Sequence, residues 1–311
     1  MVLVLNNDDL NEVGLMAIAI HAVDHFLLSK AEGQAVSPAR HNVPFDHYGK
    51  LIFTIGGQVG ACPVAGFRVY DTFKGPEHTQ LVAVWSADNA KLKGLILGDR
   101  LGTIRTGAIG GIAMRCLSLP DSSVVAVIGC GHQAKTQLIA ALRVRKITKV
   151  RVYSRDINRR SAFADGMQRE FGIDIKPATS VADAVADADI VICATNSKTP
   201  VISARQLKPG AHVNWIGPKF EDGHEISLDI VEASKVIVTD SREQIESLGS
   251  RFLLKNTNYD RIIELSDLAA GKVTGRSSPS DISLFCSMGL AGTEVAVGSA
   301  IIDRMFNADC M

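Results

Sequence analysis

The stretch VVAVIGCGHQA, residues 124–134, decides the fold. Its first five residues form a continuous apolar run, which is typical of a strand buried on both faces of a parallel sheet. The glycine pattern GxGxxA follows, and apolar residues then recur at helical spacing, at Ala134, Leu138, Ile139 and Leu142. In such a unit Gly129 permits a tight turn, Gly131 lets the backbone approach a pyrophosphate, and the amides at the start of the helix hold phosphates. The stretch therefore predicts a dinucleotide-binding loop, with Gly129, Gly131, His132, Gln133 and Ala134 as its residues.

The same pattern of apolar runs and helical stretches continues on the C-terminal side of this loop. Short apolar runs alternate with helical stretches: KVRVY, DIVICA, AHVNWI and KVIVT. Runs of four to six Val- and Ile-rich residues separated by helices are what a parallel sheet covered on both faces requires. We therefore expect a doubly wound Rossmann domain over residues 120–292.

The N-terminal third has a different pattern. Apolar residues recur at helical spacing through residues 12–33, and Gly33 is a natural stop. Extended segments follow, namely LIFTI, VAGFRVY, TQLVAVW and LKGLIL, with SADNAK as a hairpin turn between the last two. A last helix over residues 293–306 is expected to return to this part. The predicted fold class is α/β, with an α+β domain formed by residues 1–119 and 293–311 beside the Rossmann domain.

Composition excludes several classes of protein. The 33 basic and 33 acidic residues leave a formal charge of zero, so no basic field favours nucleic acid or an anionic membrane. The six cysteines show neither metal-ligand nor disulfide-framework spacing, and no metal is expected. The acidic start lacks the features of a signal peptide, and the apolar run of residues 13–23 is too short to span a bilayer. These features predict a cytoplasmic protein with reduced thiols.

The end of the second predicted strand bears on the choice of cofactor. An NAD enzyme normally presents a carboxylate to the ribose there, whereas this chain has Ser154 and Arg155, with Arg159 nearby. A hydroxyl and a guanidinium suit a 2′-phosphate, so NADP is favoured over NAD. NAD remains possible, because a shift of one residue would bring Asp156 to the ribose. After the third apolar run of this region, Thr195 and Asn196 are expected on the ribose and nicotinamide side of the cofactor.

Arg105 stands at the start of another predicted helix. Thr103 is placed to cap that helix, which would put Arg105 in its first turn. A cation there opposes the helix dipole at a cost of roughly 0.3 to 1 kcal/mol unless an anion is bound nearby. Arg105 is therefore a candidate for binding a carboxylate.

Several segments together resemble the ornithine cyclodeaminase/mu-crystallin family. GDRLGTIRTGAIGGIA resembles its D...T..RT.A signature, SPARH its early arginine segment, and AGFRVY its G.K.V segment. GCGHQA, ATNSKTPVI, HVNWIGPKFEDGHEI and SLFCSMGLAGTEVA resemble its nucleotide loop and its T.S..PV, G.D..GK.EL and S.GLA..D stretches. The matches follow the family's order over essentially the whole chain.

The resemblance implies a homodimer in which the α+β domain binds substrate and mediates dimerisation. It implies chemistry at a carbon that bears an amino or imino group beside a carboxylate, on a small amino or imino acid. Carried over, Arg40, Arg68 and Arg105 would hold that carboxylate. Arg68 replaces the lysine that is usual in the family, which keeps the charge but offers a planar fork of donors.

One departure from the family concerns its catalytic aspartate. When the segments are aligned on Gly217 and Glu225, that aspartate falls on Lys219. An ammonium would repel the amine that cyclodeamination requires, but it could donate a proton to an imine nitrogen, or act as a base if burial lowers its pKa. The alternative is that Lys219 supports the loop and that Asp222 or Glu221 points inward. Lys219 and Asp222 are therefore the candidate catalytic residues.

Three functions follow from these patterns. The first is an NAD(P)H-dependent reductase of a small imino acid, such as a cyclic ketimine or a pyrroline carboxylate, or the reverse amino-acid oxidation, with Lys219 or water supplying the proton. The second is a lyase, either a cyclodeaminase or a hydroxyproline dehydratase. The third is an NADPH-binding protein of the mu-crystallin kind without catalytic activity.

Overall fold

The computed structural model describes residues 2–60, 63–75, 78–255 and 259–308. The chain divides into two compact units, Met1–Ala108 with Gly289–Met311 (unit 1) and Ile109–Met288 (unit 2). The mixed α/β class with a Rossmann-type parallel sheet is confirmed. The functional boundaries expected from the sequence, 1–119 with 293–311 and 120–292, stay a prediction, because compactness does not test which residues bind substrate or mediate dimerisation.

Most of unit 1 precedes the parallel sheet in sequence. The first part of the chain contains β1 (Leu3–Leu5), α1 (Glu12–Ala31), β2 (Ala35–Val36), β3 (His41–Phe45), β4 (Gly49–Gln58), β5 (Val64–Asp71), β6 (Leu81–Ser86), β7 (Leu92–Leu97) and α2 (Arg100–Leu117). The strands form one sheet in the order β1-β7-β6-β5-β4-β2, with β3 also paired to β4. All its pairs are antiparallel except β1 with β7.

Unit 2 is built on a parallel sheet. The remaining elements are β8 (Val124–Ile128), α3 (His132–Val144), β9 (Lys149–Tyr153), α4 (Ile157–Phe171), β10 (Asp174–Pro177), α5 (Val181–Val185), β11 (Ile190–Cys193), β12 (His212–Trp215), β13 (Lys219–Phe220), β14 (Gly223–His224), α6 (Leu228–Ala233), β15 (Ser234–Thr239), α7 (Arg242–Leu248), β16 (Ile262–Glu264), α8 (Leu265–Ala269), β17 (Ile282–Cys286) and α9 (Thr293–Ala308). Eight strands pair in the order β10-β9-β8-β11-β12-β17-β15-β16, and every pair is parallel. The last helix, α9, belongs to unit 1.

One face of the unit 1 sheet is covered by α1 and α9. The contact is close because glycines face α9: a Cβ at Gly66 would lie 3.1 Å from Val295, and one at Gly94 would lie 2.9 Å from Ile302. By length and composition, α1 is the one helix in the described ranges that could cross a membrane. This helix buries Phe26 and Leu27 and packs on α9, as a core helix does.

The opposite face of this sheet is apolar and partly exposed. Ile55 is 56 % exposed, Val4 is 55 % exposed, and Phe67 and Trp85 are in ring contact on the same side. Ile55 pairs with Phe67 across β4 and β5, and side chains alternate between faces along each strand, so one sheet face carries these residues together.

The start of α2 corrects one expectation. The helix begins at Arg100, so Thr103 lies inside it and its hydroxyl donates to the carbonyl of Arg100 at 2.8 Å. The amide of Arg100 donates to the side chain of Asn7 at 3.0 Å. The prediction that Thr103 caps the helix and places Arg105 in the first turn is therefore wrong, and the argument from the helix dipole does not apply to Arg105.

Candidate functional site

The glycine loop of unit 2 lies where the order of the parallel strands reverses. β8 has β9 on one side and β11 on the other, and the loop follows β8 directly. Ligands of open parallel sheets bind at the carboxyl ends of the strands at such a point. Gly129 has a φ of 116°, and a Cβ there would lie 2.3 Å from the carbonyl oxygen of Ala194. Only glycine fits this turn.

The start of α3 leaves room for a phosphate group. Gly131 is its N-cap, and a Cβ built on Gly131 meets no protein atom within 4 Å. His132 is exposed, whereas Ala134 is buried against the sheet, as close packing of the helix requires. In the described part of the chain, the buried Oε1 of Gln133 has no hydrogen-bond partner. An open cradle and an unpaired polar atom fit a bound dinucleotide.

The segment after β9 bears on the choice between the two cofactors. The carboxylate of Asp156 caps α4, where it accepts the amides of Asn158 at 2.9 Å and of Arg159 at 3.1 Å. Ser154 donates its hydroxyl to the carbonyl of Asp156 at 3.0 Å. Arg155 is exposed, and so is Arg159. Asp156 is thus engaged in capping, while Arg155 extends into solvent beside the loop.

Thr195 and Asn196 lie just beyond the carboxyl end of β11. The amide and the hydroxyl of Thr195 both donate to the Oε2 of Glu225, each at 2.7 Å. The amide of Ser197 donates to the hydroxyl oxygen of Thr195 at 3.1 Å, and Asn196 is exposed. Thr195 is therefore held in place, and the neighbouring Asn196 faces solvent.

The two candidate catalytic residues lie in very different surroundings. Lys219 is 4 % exposed, and its Nζ donates to the carbonyls of Ile216 at 3.0 Å and Gly217 at 2.6 Å. Asp222 is exposed in the turn between β13 and β14. The buried group is thus the lysine, and the carboxylate that could have replaced the family's aspartate faces solvent.

In unit 1, a buried carboxylate joins two of the three predicted arginines. The Oε1 of Glu294 accepts from Nη1 of Arg68 at 2.8 Å and lies 3.0 Å from Nη2 of Arg105. Burial alone would raise the pKa of Glu294, but Arg105 and Arg68 outweigh this effect and lower it to about 2. Glu294 is therefore ionised throughout the physiological range.

Arg68 is held on several sides. Besides Glu294, it donates through Nε at 3.1 Å and through Nη2 to Oε1 of Gln80, and its guanidinium lies 4.3 Å from the ring centroid of Tyr70. Arg105 differs, because its buried Nε and Nη1 have no hydrogen-bond partner within the described ranges. Unpaired buried donors on a cation are costly unless a ligand binds them. Arg105 is thus the arginine best prepared to bind an anion.

Arg40 lies near the same cluster. Its Nη2 donates to the carbonyl of Gly289 at 3.4 Å. Gly289 has a φ of 86°, and a Cβ there would lie 1.9 Å from Nη2 of Arg40 and 3.4 Å from Nη1 of Arg105. The structure therefore brings Arg40, Arg68 and Arg105 together, as the resemblance implies, and the missing side chain of Gly289 gives them room.

Sequence reasoning missed two carboxylates and an amide. Glu294 occupies the acidic position at the end of the S.GLA..D-like stretch. That match to the family pattern could have identified it as a site residue. Glu225 served only to align the segment around Lys219, although it binds the loop after β11. Gln80, the partner of Arg68, carries no signal in the sequence. In the part of the chain that the structure describes, no three metal-ligating side chains lie together.

Comparison with known proteins identifies the family. The model of the ornithine cyclodeaminase/mu-crystallin family matches residues 2–309. A Delta(1)-pyrroline-2-carboxylate reductase of Bacillus cereus is 28 % identical over 319 residues, which cover 98 % of this chain and 96 % of the relative.

Two solved structures share the fold over the whole chain. A Thermococcus litoralis Delta(1)-pyrroline-2-carboxylate reductase in complex with NADH and L-proline matches with a TM-score of 0.88 and 27 % identity, over 99 % of this chain and 98 % of that one. An archaeal alanine dehydrogenase dimer with bound NAD matches with a TM-score of 0.85 and 26 % identity, over 99 % and 97 %. With the family model spanning nearly every residue, the chain belongs to the ornithine cyclodeaminase/mu-crystallin family.

Proposed function

We propose that this chain is an NAD(P)H-dependent reductase that transfers hydride to the C=N carbon of a small imino acid, or that catalyses the reverse oxidation of the amino acid. The observation that carries the proposal is the buried Arg105, whose Nε and Nη1 have no hydrogen-bond partner among the described residues and can each donate to a bound anion. The Bacillus cereus and Thermococcus litoralis proteins are both named for pyrroline-2-carboxylate, a cyclic imine with a carboxylate on the imine carbon. That substrate class combines the anion with the reducible bond.

Each unit contributes one part of this chemistry. In unit 1, Arg105 binds the carboxylate, and Arg40 and Arg68 add positive charge. In unit 2, Gly129, Gly131, His132, Gln133 and Ala134 form the loop for the coenzyme, which supplies the hydride when bound. The imine carbon gains the hydride and the nitrogen gains one proton, so imino acid, NAD(P)H and a proton give amino acid and NAD(P)⁺. Lys219 or water supplies that proton.

We propose NADPH as the preferred coenzyme. The Oδ1 of Asp156 accepts two amides at the start of α4, so one oxygen of this carboxylate is engaged in capping the helix. Ser154 and Arg155 then offer a hydroxyl and a guanidinium to a 2′-phosphate, with Arg159 as a second cation in the first turn of α4. Thr195 and Asn196 are assigned to the ribose and nicotinamide side.

The assembly that we propose is a homodimer formed through the exposed face of the unit 1 sheet. Ile55 and Val4 are more than half exposed on an apolar face, which is unusual unless another surface covers it. The archaeal alanine dehydrogenase with a TM-score of 0.85 is a dimer. Ile55→Asp should convert the dimer into monomers in light scattering, whereas Val273→Asp, an exposed residue of unit 2, should not.

A cytoplasmic location completes the proposal. Cys193 and Cys286 are buried free thiols, and the cytosol keeps thiols reduced. The formal net charge of zero gives no support to nucleic acid or to a membrane as a partner. The partner that remains is a small amino or imino acid.

The deciding experiment measures NADPH and NADH oxidation with Delta(1)-pyrroline-2-carboxylate. Parallel assays follow ammonia release from ornithine and water loss from hydroxyproline. Coenzyme oxidation that equals the amino acid formed supports the reductase. Ammonia or water release without net oxidation would indicate the lyase. NADPH binding without any turnover would indicate a mu-crystallin-like binding protein.

A further inference from the structure

A single buried carboxylate ties together two loops at the carboxyl edge of the parallel sheet. Glu225 is fully buried; its Oε2 accepts the amide and the hydroxyl of Thr195, and its Oε1 accepts the amide of Gly217. Thr195 follows β11 and Gly217 follows β12, and these strands are neighbours in the sheet. A Cβ on Gly217 would lie 2.3 Å from the carbonyl oxygen of Thr195, so the two loops are in direct contact.

The ammonium of Lys219 lies on the other side of the same glycine. Its Nζ donates to the carbonyl of Gly217 at 2.6 Å, while the amide of Gly217 donates to Glu225. Its second carbonyl partner is Ile216, and it lies 5.3 Å from the ring centroid of Trp215. Burial raises the pKa of Glu225, and Lys219 is the group that opposes this effect most strongly. The two charges therefore lie within one buried network centred on Gly217.

We propose that Lys219 and Glu225 are a positioning pair: Lys219 neutralises Glu225, and Glu225 holds the Thr195 loop in the shape that binds the nicotinamide half of the coenzyme. This proposal rests on the proposed function for the identity of the coenzyme. It assigns Lys219 a structural charge instead of a reacting proton. The proton taken up by the imine nitrogen then comes from water, or arrives with a substrate that is already an iminium ion.

The pair has a thermodynamic signature that a catalytic acid lacks. Removing one member of a buried ion pair leaves the other charge uncompensated, which is strongly destabilising, whereas replacing both members with neutral groups is often close to neutral. A catalytic acid, in contrast, is not restored by changing its neighbour. A double-mutant cycle therefore separates the two roles.

The test compares Lys219→Met, Glu225→Gln and the double variant with the parent, using Lys235→Met, an exposed lysine of β15, as the matched control. Three quantities are measured: the Tm, the Kd of NADPH from nicotinamide fluorescence, and the Kd of 2′,5′-ADP, which occupies only the adenosine half. We expect each single variant to lower Tm by about 10 °C. We expect each to weaken NADPH by about tenfold or more and to leave 2′,5′-ADP nearly unchanged, since the glycine loop is intact.

In the double variant we expect Tm to recover by at least about half and the Kd of NADPH to return to within about threefold of the parent, with reduction of the imino acid restored. A double variant that regains Tm and affinity but stays roughly 10² to 10⁴ below the parent in kcat would overturn the proposal and make Lys219 a proton donor. Single variants that lose Tm without weakening NADPH would also overturn it, because the pair would then not position the loop. A parent that reduces no imino acid would refute the proposed function. The Tm and the two Kd values would still show whether Lys219 and Glu225 act as a positioning pair.

Discussion

Acid should destabilise unit 2 through a single histidine of β12. His212 is fully buried, with Nδ1 2.9 Å from the hydroxyl of Ser283 and Nε2 2.7 Å from Oδ1 of Asn214. The amide nitrogen of Asn214 donates to Gln137 and to the carbonyl of Gly110, so its oxygen faces the ring. Burial lowers the pKa of His212 to about 3, although the bond to Asn214 opposes this effect.

The sign and size of the effect follow from proton linkage. Between the ordinary pKa of 6.5 and the folded value of about 3, the unfolded chain binds a proton that the folded chain does not. The free energy of unfolding therefore falls as the pH is lowered through this window, by about 2 kcal/mol at pH 5 relative to pH 7. Below pH 3 both states are protonated and this contribution stops changing.

Urea unfolding at pH 7 and pH 5 measures this loss. Trp215 lies in the same strand as His212 and is buried, so in a Trp85→Phe background the tryptophan fluorescence follows this part of the molecule. His212→Gln keeps a polar side chain but cannot be protonated, and it should remove most of the difference between the two pH values. If the parent and His212→Gln lose the same free energy between pH 7 and pH 5, the neutral buried state of His212 does not control acid stability.

Three further predictions concern binding. Arg155→Ala should weaken NADPH about ten- to a hundredfold, because a bond to a charged partner contributes roughly 1.5 to 3 kcal/mol, and should leave NADH unchanged in a fluorescence titration; equal losses for both would contradict the 2′-phosphate assignment. Arg105→Lys keeps the charge beside Glu294 but loses the planar fork, so kcat/KM for the imino acid should fall about a hundredfold with little change in Tm; full activity would show that Arg105 does not bind the carboxylate. Gly129→Ala should lower both Tm and NADPH affinity because its Cβ would lie 2.3 Å from the carbonyl oxygen of Ala194. Gly131→Ala, whose Cβ enters open space, should lower NADPH affinity alone; if the two variants behaved alike in both measurements, the turn at Gly129 would not be the constraint.

The parallel sheet was predictable because its signal is local. Residues 124–128 and 149–153 were expected as strands from their apolar runs, and both have those bounds in the structure. The glycine loop was predictable for the same reason, because strand, turn and helix are consecutive. Local sequence was thus sufficient wherever the structure depends on consecutive residues.

The errors and omissions come from contacts between distant parts of the sequence. Thr103 was expected as a cap because it stands near the helix start, but the residue that binds the first amide of α2 is Asn7. Glu294 and Gln80 were missed because nothing near them in the sequence reveals Arg68 as a partner. Arg40 and Arg68 were found only through the family resemblance, whereas Arg105 was first a candidate through the helix-dipole argument that the start of α2 contradicts.

The order in which unit 1 is completed has a consequence for synthesis on the ribosome. Arg68 and Arg105 emerge early, but Glu294 and the rest of α9 emerge only after all of unit 2 has been made. Until then, the two guanidiniums lack the carboxylate between them, and one face of the sheet lacks a helix that covers it. A nascent chain can therefore form its parallel sheet and glycine loop during translation, whereas the cluster of Arg68, Arg105 and Glu294 forms last. A ribosome that stalls before α9 would release a chain that has the glycine loop but lacks the carboxylate that joins Arg68 and Arg105.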